Sequence, residues 1–163
     1  MTRRLQAYLT AAGVFLLDRI TKLVIVRLVP LWETREVIPG FFNIVHTENA
    51  AAAFSLFAGV APVWRRLFLI GSSATASVLI SVLLWRDGAR PVGSRMVSVG
   101  LALILGGALG NLYDRVIPGT VTDFLELYAG SFHWPAFNVA DSAISIGAGL
   151  VLLDLMLAKR SKA

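Results

Sequence analysis

The chain has 163 residues, of which 56% are hydrophobic and only 15% are charged, and its formal net charge is +5. Soluble domains carry about 25% charged residues, so this composition, with a mean hydropathy of +0.73, is typical of a membrane protein. The absence of cysteine excludes disulfides, thiolate metal sites and a cysteine nucleophile.

Four apolar segments are long enough to cross a membrane, because a spanning helix needs about 20 such residues. The first segment is interrupted by several charged residues, whereas the last contains only two acids. The length leaves no room for a separate soluble enzyme, so we expect one membrane domain over residues 1–163. Its predicted spans are residues 5–29, 63–85, 96–117 and 139–158.

The segments between these spans give two outer loops, at about residues 30–62 and 118–138. In the first loop, Val37–Asn49 places β-branched and aromatic residues around a Pro-Gly turn, which predicts a strand or hairpin. The run that follows, AAAAFSLFAGV, is typical of a short helix at the membrane interface. The expected fold is therefore an all-α integral membrane protein of four transmembrane helices, with a small extracytoplasmic β-element and a short interfacial helix.

Lysine and arginine set the expected orientation, because they concentrate in cytoplasmic loops. They cluster before the first span, between the second and third, and after the fourth, so both termini are expected in the cytoplasm. This placement also explains the pI of about 10.2 without nucleic-acid binding. Arg3-Arg4 and the apolar run behind it are similar to a secretory signal peptide, but no small-residue cleavage pattern follows. We expect an uncleaved span.

With this orientation, the unusual polar residues gather at the outer membrane–water boundary. A charge at the centre of a span costs on the order of 3 kcal/mol, so such groups usually pair or serve a function. Asp18 and Lys22, four residues apart, could form a structural pair, and Asp114, which is next to Arg115, could be neutralised within the cluster. The residues concerned are Asp18, Lys22, Asn49, Asn111, Asp114, Arg115, Asp123, Asn138 and Asp141.

Asp123 and Asp141 allow two interpretations. As structural residues, Asp141 follows a possible N-cap at Asn138 by three positions, and Asp123 could cap a short helix together with Glu126. As functional residues, two neighbouring carboxyl groups would share one proton. One would then activate water as a base while the other protonates a carbonyl oxygen or a leaving amine, which is peptide hydrolysis without a covalent intermediate.

Other catalytic chemistries have little support in the sequence. There is no G-x-S-x-G motif, and His46 and His133 lack the spacing of metal ligands. Both histidines are interpreted as interfacial or loop residues. No metal and no cofactor are expected.

Five motifs together resemble those of one family, lipoprotein signal peptidase, also called signal peptidase II. Their order and spacing agree with that family over nearly the whole chain, and the last three form the most specific series. The motifs are DRITK (Asp18–Lys22), NAAAAF (Asn49–Phe54), GGALGNLYDR (Gly106–Arg115), VTDF (Val121–Phe124) and FNVADS (Phe137–Ser142).

This resemblance implies a bacterial inner-membrane aspartyl endopeptidase with its active site on the periplasmic side. It implies removal of the signal peptide from prolipoproteins, with the cut just before the diacylglyceryl-modified cysteine. The implied partners are that lipid-modified prolipoprotein, membrane lipid and globomycin-type inhibitors. By motif, the resemblance implies catalytic roles for Asp123 and Asp141, pocket positions for Asn49, Asn111, Arg115 and Asn138, and supporting positions for Asp18, Lys22 and Asp114.

The sequence departs from the family pattern at two positions. Ala51 stands where the family usually has glycine, which bears on the conformation of that loop because alanine resists some backbone angles that glycine adopts. Arg19 stands where the family usually has glutamine, and it adds a cation near the outer end of the first span.

Two structural roles are hypotheses at this point. The small residues Gly106, Gly110, Gly147 and Gly149 could leave room for a lateral groove that accepts the signal helix. The outer loop at residues 30–62 could cover the site and limit water.

Two other functions remain open from the residues alone. One is a small proton-linked transporter or channel, because acids and bases inside a membrane often mark ion pathways. The other is a structural membrane subunit whose polar groups are helix caps and interhelical contacts. The first is disfavoured because the polar residues stop near one face of the membrane.

Overall fold

The computed structural model describes residues 1–50, 61–87 and 94–160. Within them the chain forms four long helices and a small antiparallel sheet. The helices are α1 (Arg3–Leu28), α2 (Pro62–Asp87), α3 (Arg95–Val116) and α4 (Val139–Arg160), and the strands are β1 (Thr34–Ile38), β2 (Phe42–Asn49), β3 (Val121–Ala129) and β4 (Phe132–His133).

The four predicted spans agree with the four helices to within a few residues. Three helices, at Pro62–Arg86, Arg95–Val116 and Val139–Ala158, are long and apolar enough to cross a membrane. The fourth, α1, has sufficient length but carries charged residues in its second half, including Asp18 and Lys22. The structure therefore supports three candidate spans directly, and the transmembrane placement of α1 stays a prediction.

Helix α3 is central, since α1, α2 and α4 all pack against it. Glycines allow these backbones to approach closely: a Cβ on Gly106 would lie 2.5 Å from a carbonyl oxygen of α1, and one on Gly147 would overlap the carbonyl oxygen of Gly100. A Cβ on Gly110 would lie 2.6 Å from an oxygen of Asp18. These three glycines are therefore filled contacts between helices. The hypothesis that these three leave room for a groove is wrong, and of the four glycines named for that role Gly149 alone faces open space.

The four strands form one antiparallel sheet in the order β1-β2-β3-β4. The predicted hairpin is confirmed as β1 and β2, and its turn contains Gly40, whose φ of 74° favours glycine. Strands β3 and β4 were not predicted. Asp123 does not cap a short helix with Glu126; both lie on β3, where Thr47 and Asn43 of β2 are their opposite residues. The all-α description is thus corrected to a mostly helical fold with a small sheet.

A small apolar cluster attaches this sheet to the helices. Ile25 and Val29 at the end of α1 are buried against Phe124 of β3, and Ile44 and Val139 pack around them. The cluster fixes β3 beside the start of α4, so residues from two distant parts of the sequence meet there. The predicted interfacial helix and Ala51 fall on residues outside those that the structure describes.

Candidate active site

Asp123 is buried on β3 and both of its carboxyl oxygens are hydrogen-bonded. Asn49, at the end of β2, donates from Nδ2 to Oδ2 over 3.0 Å, and Asn138 donates from Nδ2 to Oδ1 over 2.7 Å. The Thr47 hydroxyl donates to the Asp123 carbonyl oxygen over 3.2 Å, which holds the two strands together at this point. The carboxyl group is therefore fixed from both the sheet and the segment leading into α4.

Asp141 lies in the first turn of α4 and is half-buried. The Asn138 Oδ1 accepts from the Asp141 backbone N–H over 2.9 Å, and the Asn138 backbone N–H donates back to Asp141 Oδ2 over 3.3 Å. This is a reciprocal N-terminal cap. On α3, Asn111 donates from Nδ2 to Asp141 Oδ1 over 2.7 Å. The predicted cap at Asn138 is thus confirmed, and it also orients Asp141.

Asn138 contacts both acids, so the structural and functional interpretations of the pair do not exclude each other. It is completely buried, and its one side chain caps α4 while it donates to Asp123. The pKa of Asp123 is raised to about 7, mainly because the carboxyl group is buried. The charge of Asp141 also raises this pKa, whereas the hydrogen bonds from Asn49 and Asn138 lower it. At neutral pH Asp123 is consequently poised between its acid and base forms.

Lys22 is the centre of a second, adjoining group of buried charges. Its Nζ lies 2.8 Å from Asp18 Oδ2 and 2.6 Å from Asp114 Oδ2, and it donates to Asn111 Oδ1 over 3.1 Å. The predicted pair of Asp18 and Lys22 is confirmed. Asp18 also accepts from the backbone N–H of Ala140 over 3.0 Å, so α1 helps to cap α4. Through Lys22, α1 also holds the side chain of Asn111.

Asp114 is neutralised by cations of α1 and not by its neighbour in sequence. Arg19 pairs with Asp114 and stacks on the ring of Tyr113 at 4.4 Å, which gives the unexpected cation of the DRITK motif a structural role. Arg115 instead donates to the backbone carbonyl of Asn111 over 3.3 Å. Its charge interacts with Asp141 and with the other acids of the cluster.

Sequence reasoning missed a contribution from Glu48. Its carboxylate accepts from the hydroxyls of Thr120 over 2.5 Å and Thr122 over 2.9 Å, and so joins β2 to β3 on either side of Val121. His46 is buried on β2, so it is not a loop residue. The sequence did contain a signal for Glu48, because it lies next to Asn49, which was already a candidate site residue.

A cavity of about 430 Å³ opens beside Asp123 and is also lined by Asn49, Glu48, Arg65 and Glu126. It gives space for a ligand next to the buried carboxyl group. Among residues 1–50, 61–87 and 94–160, no cluster of three or more histidine or acidic side chains could hold a metal ion. The chemistry offered by the described side chains is proton transfer between two carboxyl groups in different environments.

All nine residues that the sequence singled out lie in this one connected cluster. Asp123 and Asp141 meet through Asn138, and Lys22 links Asp18, Asp114 and Asn111. A family model described as signal peptidase (SPase) II matches residues 10–157.

Curated relatives are similar along almost the whole chain. A lipoprotein signal peptidase of Solibacter usitatus is 46% identical over 160 residues, which cover 98% of this chain and 96% of that protein. One of Syntrophus aciditrophicus is 42% identical over 163 residues, covering 99% of each. The resemblance read from the five sequence motifs is therefore confirmed.

Solved structures share the architecture as well. A bacterial membrane enzyme determined by the in meso method at 2.3 Å resolution superposes with a TM-score of 0.82 at 29% identity, covering 97% of this chain and 92% of that one. A second, at 1.9 Å resolution, gives a TM-score of 0.76 at 30% identity and covers 92% of each chain. Because the family model and the relatives extend over most of its length, this chain belongs to the signal peptidase II family.

Proposed function

We propose that this protein is an aspartyl endopeptidase that removes the signal peptide from diacylglyceryl-modified prolipoproteins, cutting before the lipidated cysteine. Membership of the signal peptidase II family supports the reaction. The observation that carries the choice of catalytic residues is the double contact of Asn138, which holds Asp123 and caps the turn containing Asp141. The remaining polar residues of the cluster position these two and bind the substrate.

The two carboxyl groups take different roles in the proposed mechanism. Asp123 holds the shared proton, because burial raises its pKa to about 7. Asp141 is more exposed than Asp123 and lies in the first turn of α4. Asp141 therefore takes a proton from the attacking water, while Asp123 donates its proton to the oxygen of the scissile carbonyl. In the collapse of the resulting diol intermediate the C–N bond breaks, one hydroxyl proton returns to Asp123, and the leaving amine receives the proton held by Asp141.

The proposed membrane arrangement is one domain over residues 1–163 in the bacterial cytoplasmic membrane. It has four spans, α1 included, with both termini in the cytoplasm and the active site at the outer face. Two features support it. The basic residues cluster at the ends expected for cytoplasmic segments, and the sheet and polar cluster lie together at the opposite ends of the helices.

The alternative of a proton-linked transporter or channel gains no support. The buried charged residues in the described part of the chain are Asp18, Lys22, Asp114 and Asp123, and they all belong to the cluster at the sheet. A conduction path would need polar groups along the length of the helices. A globomycin-type inhibitor is expected to compete with the prolipoprotein for the cavity beside Asp123, and no nucleic acid is involved.

Purified protein incubated with a diacylglyceryl-modified prolipoprotein tests the proposal through the size of the product. Asp123→Asn and Asp141→Asn should each lower the cleavage rate by about a thousandfold, the range of general acid–base catalysis. The matched control is Asp154→Asn, an acid at the other end of α4 that accepts from Ser94. No product from the unaltered protein refutes the peptidase activity, whereas normal cleavage by either dyad variant refutes the assignment of the dyad.

A further inference from the structure

Arg65 is a basic side chain in the cavity beside Asp123, and it takes no part in the proposed mechanism. Arg65, in the first turn of α2, lines this cavity together with the carboxylates of Glu48, Asp123 and Glu126. Arg65 is half-buried, and its Nε is buried without a hydrogen bond to any residue that the structure describes. A buried donor left unpaired is unfavourable, so the arrangement indicates a missing acceptor.

The neighbouring Arg66 shows how an arginine at this end of α2 can be satisfied. It donates from Nε to the carbonyl oxygen of Arg115 over 3.0 Å and from Nη2 to that of Val116 over 3.3 Å. Arg66 thereby closes the last turn of α3, where helix carbonyls lack partners. Arg66 therefore has a structural role at the end of α3, whereas the neighbouring Arg65 lines the cavity.

The carboxylates around the cavity do not supply the missing partner. Glu48 lies 3.4 Å from His46 and accepts from threonine hydroxyls, while Glu126 lies 3.2 Å from His133 and accepts from a side-chain amide of β2. The carboxyl group of Asp123 accepts from the side-chain amides of Asn49 and Asn138. Arg65 is thus placed to hold a ligand in the cavity.

We propose that Arg65 binds a carbonyl oxygen of the substrate in the cavity beside Asp123, and so determines the affinity for the prolipoprotein. This inference rests on the proposed function. A guanidinium offers five N–H donors and no acceptor, and the substrate class brings carbonyl oxygens of two kinds close to the scissile bond. One kind is the ester of the diacylglyceryl group, and the other is the peptide main chain.

Steady-state kinetics on the diacylglyceryl-modified prolipoprotein test this role. Arg65→Gln should raise KM about tenfold, since a hydrogen bond from a charged group is lost, while kcat changes less than about twofold. The matched control is Arg35→Gln, which removes an exposed arginine of β1 that pairs with Glu33 and should leave KM unchanged.

A substrate whose cysteine carries two ether-linked chains separates the two carbonyl sources. If Arg65 binds the ester, the unaltered enzyme should show the raised KM with the ether substrate, and Arg65→Gln should raise it no further. If Arg65 binds the main chain, the variant should raise KM equally for both substrates. Either result supports the proposal.

An unchanged KM for Arg65→Gln with both substrates overturns the proposal, as does a loss confined to kcat with a shifted pH profile. Thermal unfolding confirms that the variants are folded, and Arg65→Lys, which keeps a cation but loses the planar fork, replaces the glutamine variant if that one unfolds. The lysine variant should have an intermediate KM, and a KM equal to that of the unaltered enzyme would overturn the proposal. Failure of the unaltered enzyme to cleave anything would instead refute the proposed function itself.

Discussion

Asn138 donates from its side-chain nitrogen to Asp123 over 2.7 Å, while its side-chain oxygen accepts the backbone N–H of Asp141 over 2.9 Å. One buried amide therefore fixes the distance between a strand and the start of a helix. The same contact that begins α4 also orders the proposed dyad, so helix capping and catalysis depend on one residue.

Substitutions at Asn138 should separate its two tasks. Asn138→Ser keeps a good N-cap but is too short to reach Asp123, so we expect nearly unchanged stability and a cleavage rate lowered about 10–100-fold. Asn138→Ala removes both contacts and should also lower the free energy of unfolding by about 1–2 kcal/mol. Thermal unfolding and cleavage assays on the same preparations provide the comparison. Equal activity of the serine variant and the unaltered protein would show that the contact with Asp123 is not needed.

The activity should fall as the pH rises through about 7, because Asp123 then loses the proton that it must donate. The rate of cleavage measured across the neutral range, at saturating substrate, gives the position of this decline. A rate that stays constant well above pH 7 would mean that Asp123 is not the acid.

The free energy of unfolding should also depend on whether Asp123 is protonated. The pKa of Asp123 is about 7 in the folded protein and 3.8 for an ordinary aspartate, so the folded state holds the proton more tightly. The free energy of unfolding should therefore be greatest below about pH 4 as far as this group is concerned, and it should decrease as the pH rises to about 7. Asp123→Asn, which cannot ionise, should lack this part of the pH dependence in thermal unfolding.

Removing the charge of Lys22 should be strongly destabilising. Lys22→Met leaves Asp18 and Asp114 buried without their shared cation, and breaking such a buried group costs about 3–5 kcal/mol. Arg27→Met, on the exposed side of the same helix, is the control and should change the unfolding temperature little. Similar unfolding temperatures for the two variants would contradict a central role for Lys22.

Two glycines of α4 should respond differently to alanine. Gly147→Ala places a Cβ 2.8 Å from Ile104 and against the Gly100 carbonyl, so α3 and α4 would have to separate and the unfolding temperature should fall. Gly149→Ala has open space and should leave stability unchanged or slightly higher, since alanine favours helix. The measurement is a comparison of the unfolding temperatures of both variants in the same detergent. A harmless Gly147→Ala would mean that the helices do not pack this closely.

The helices and the first hairpin could be predicted because their signals are local. Long apolar runs and a Pro-Gly turn lie within single segments of the sequence, and the structure confirms them to within a few residues. Strand β3 could not be found in this way. Its residues are buried consecutively from Val121 to Phe124, so no alternation of polar and apolar positions indicates a strand, and its ladder partner β2 is far away in the sequence.

The membership of the polar cluster was also predictable, but its contacts were not. The motif resemblance and the shared depth of the residues indicated the right set, and the Asp18–Lys22 pair followed from helical spacing. The pairing of Asp114 with Arg19 and Lys22 depends on how closely α1 and α3 pack. The sequence indicated that Asp114 could be neutralised within the cluster, but its partners could not be named from adjacent positions because neighbours along a helix point in different directions.

The hydrogen bond from the Ala140 backbone to Asp18 also bears on the order in which the polar cluster is assembled. Asp18 is made early in synthesis, whereas its partner arrives with the last helix. The cluster is therefore incomplete until α4 packs against α1 and α3, and a chain shortened before α4 would leave Asp18 without the Ala140 amide and Asn111 without Asp141.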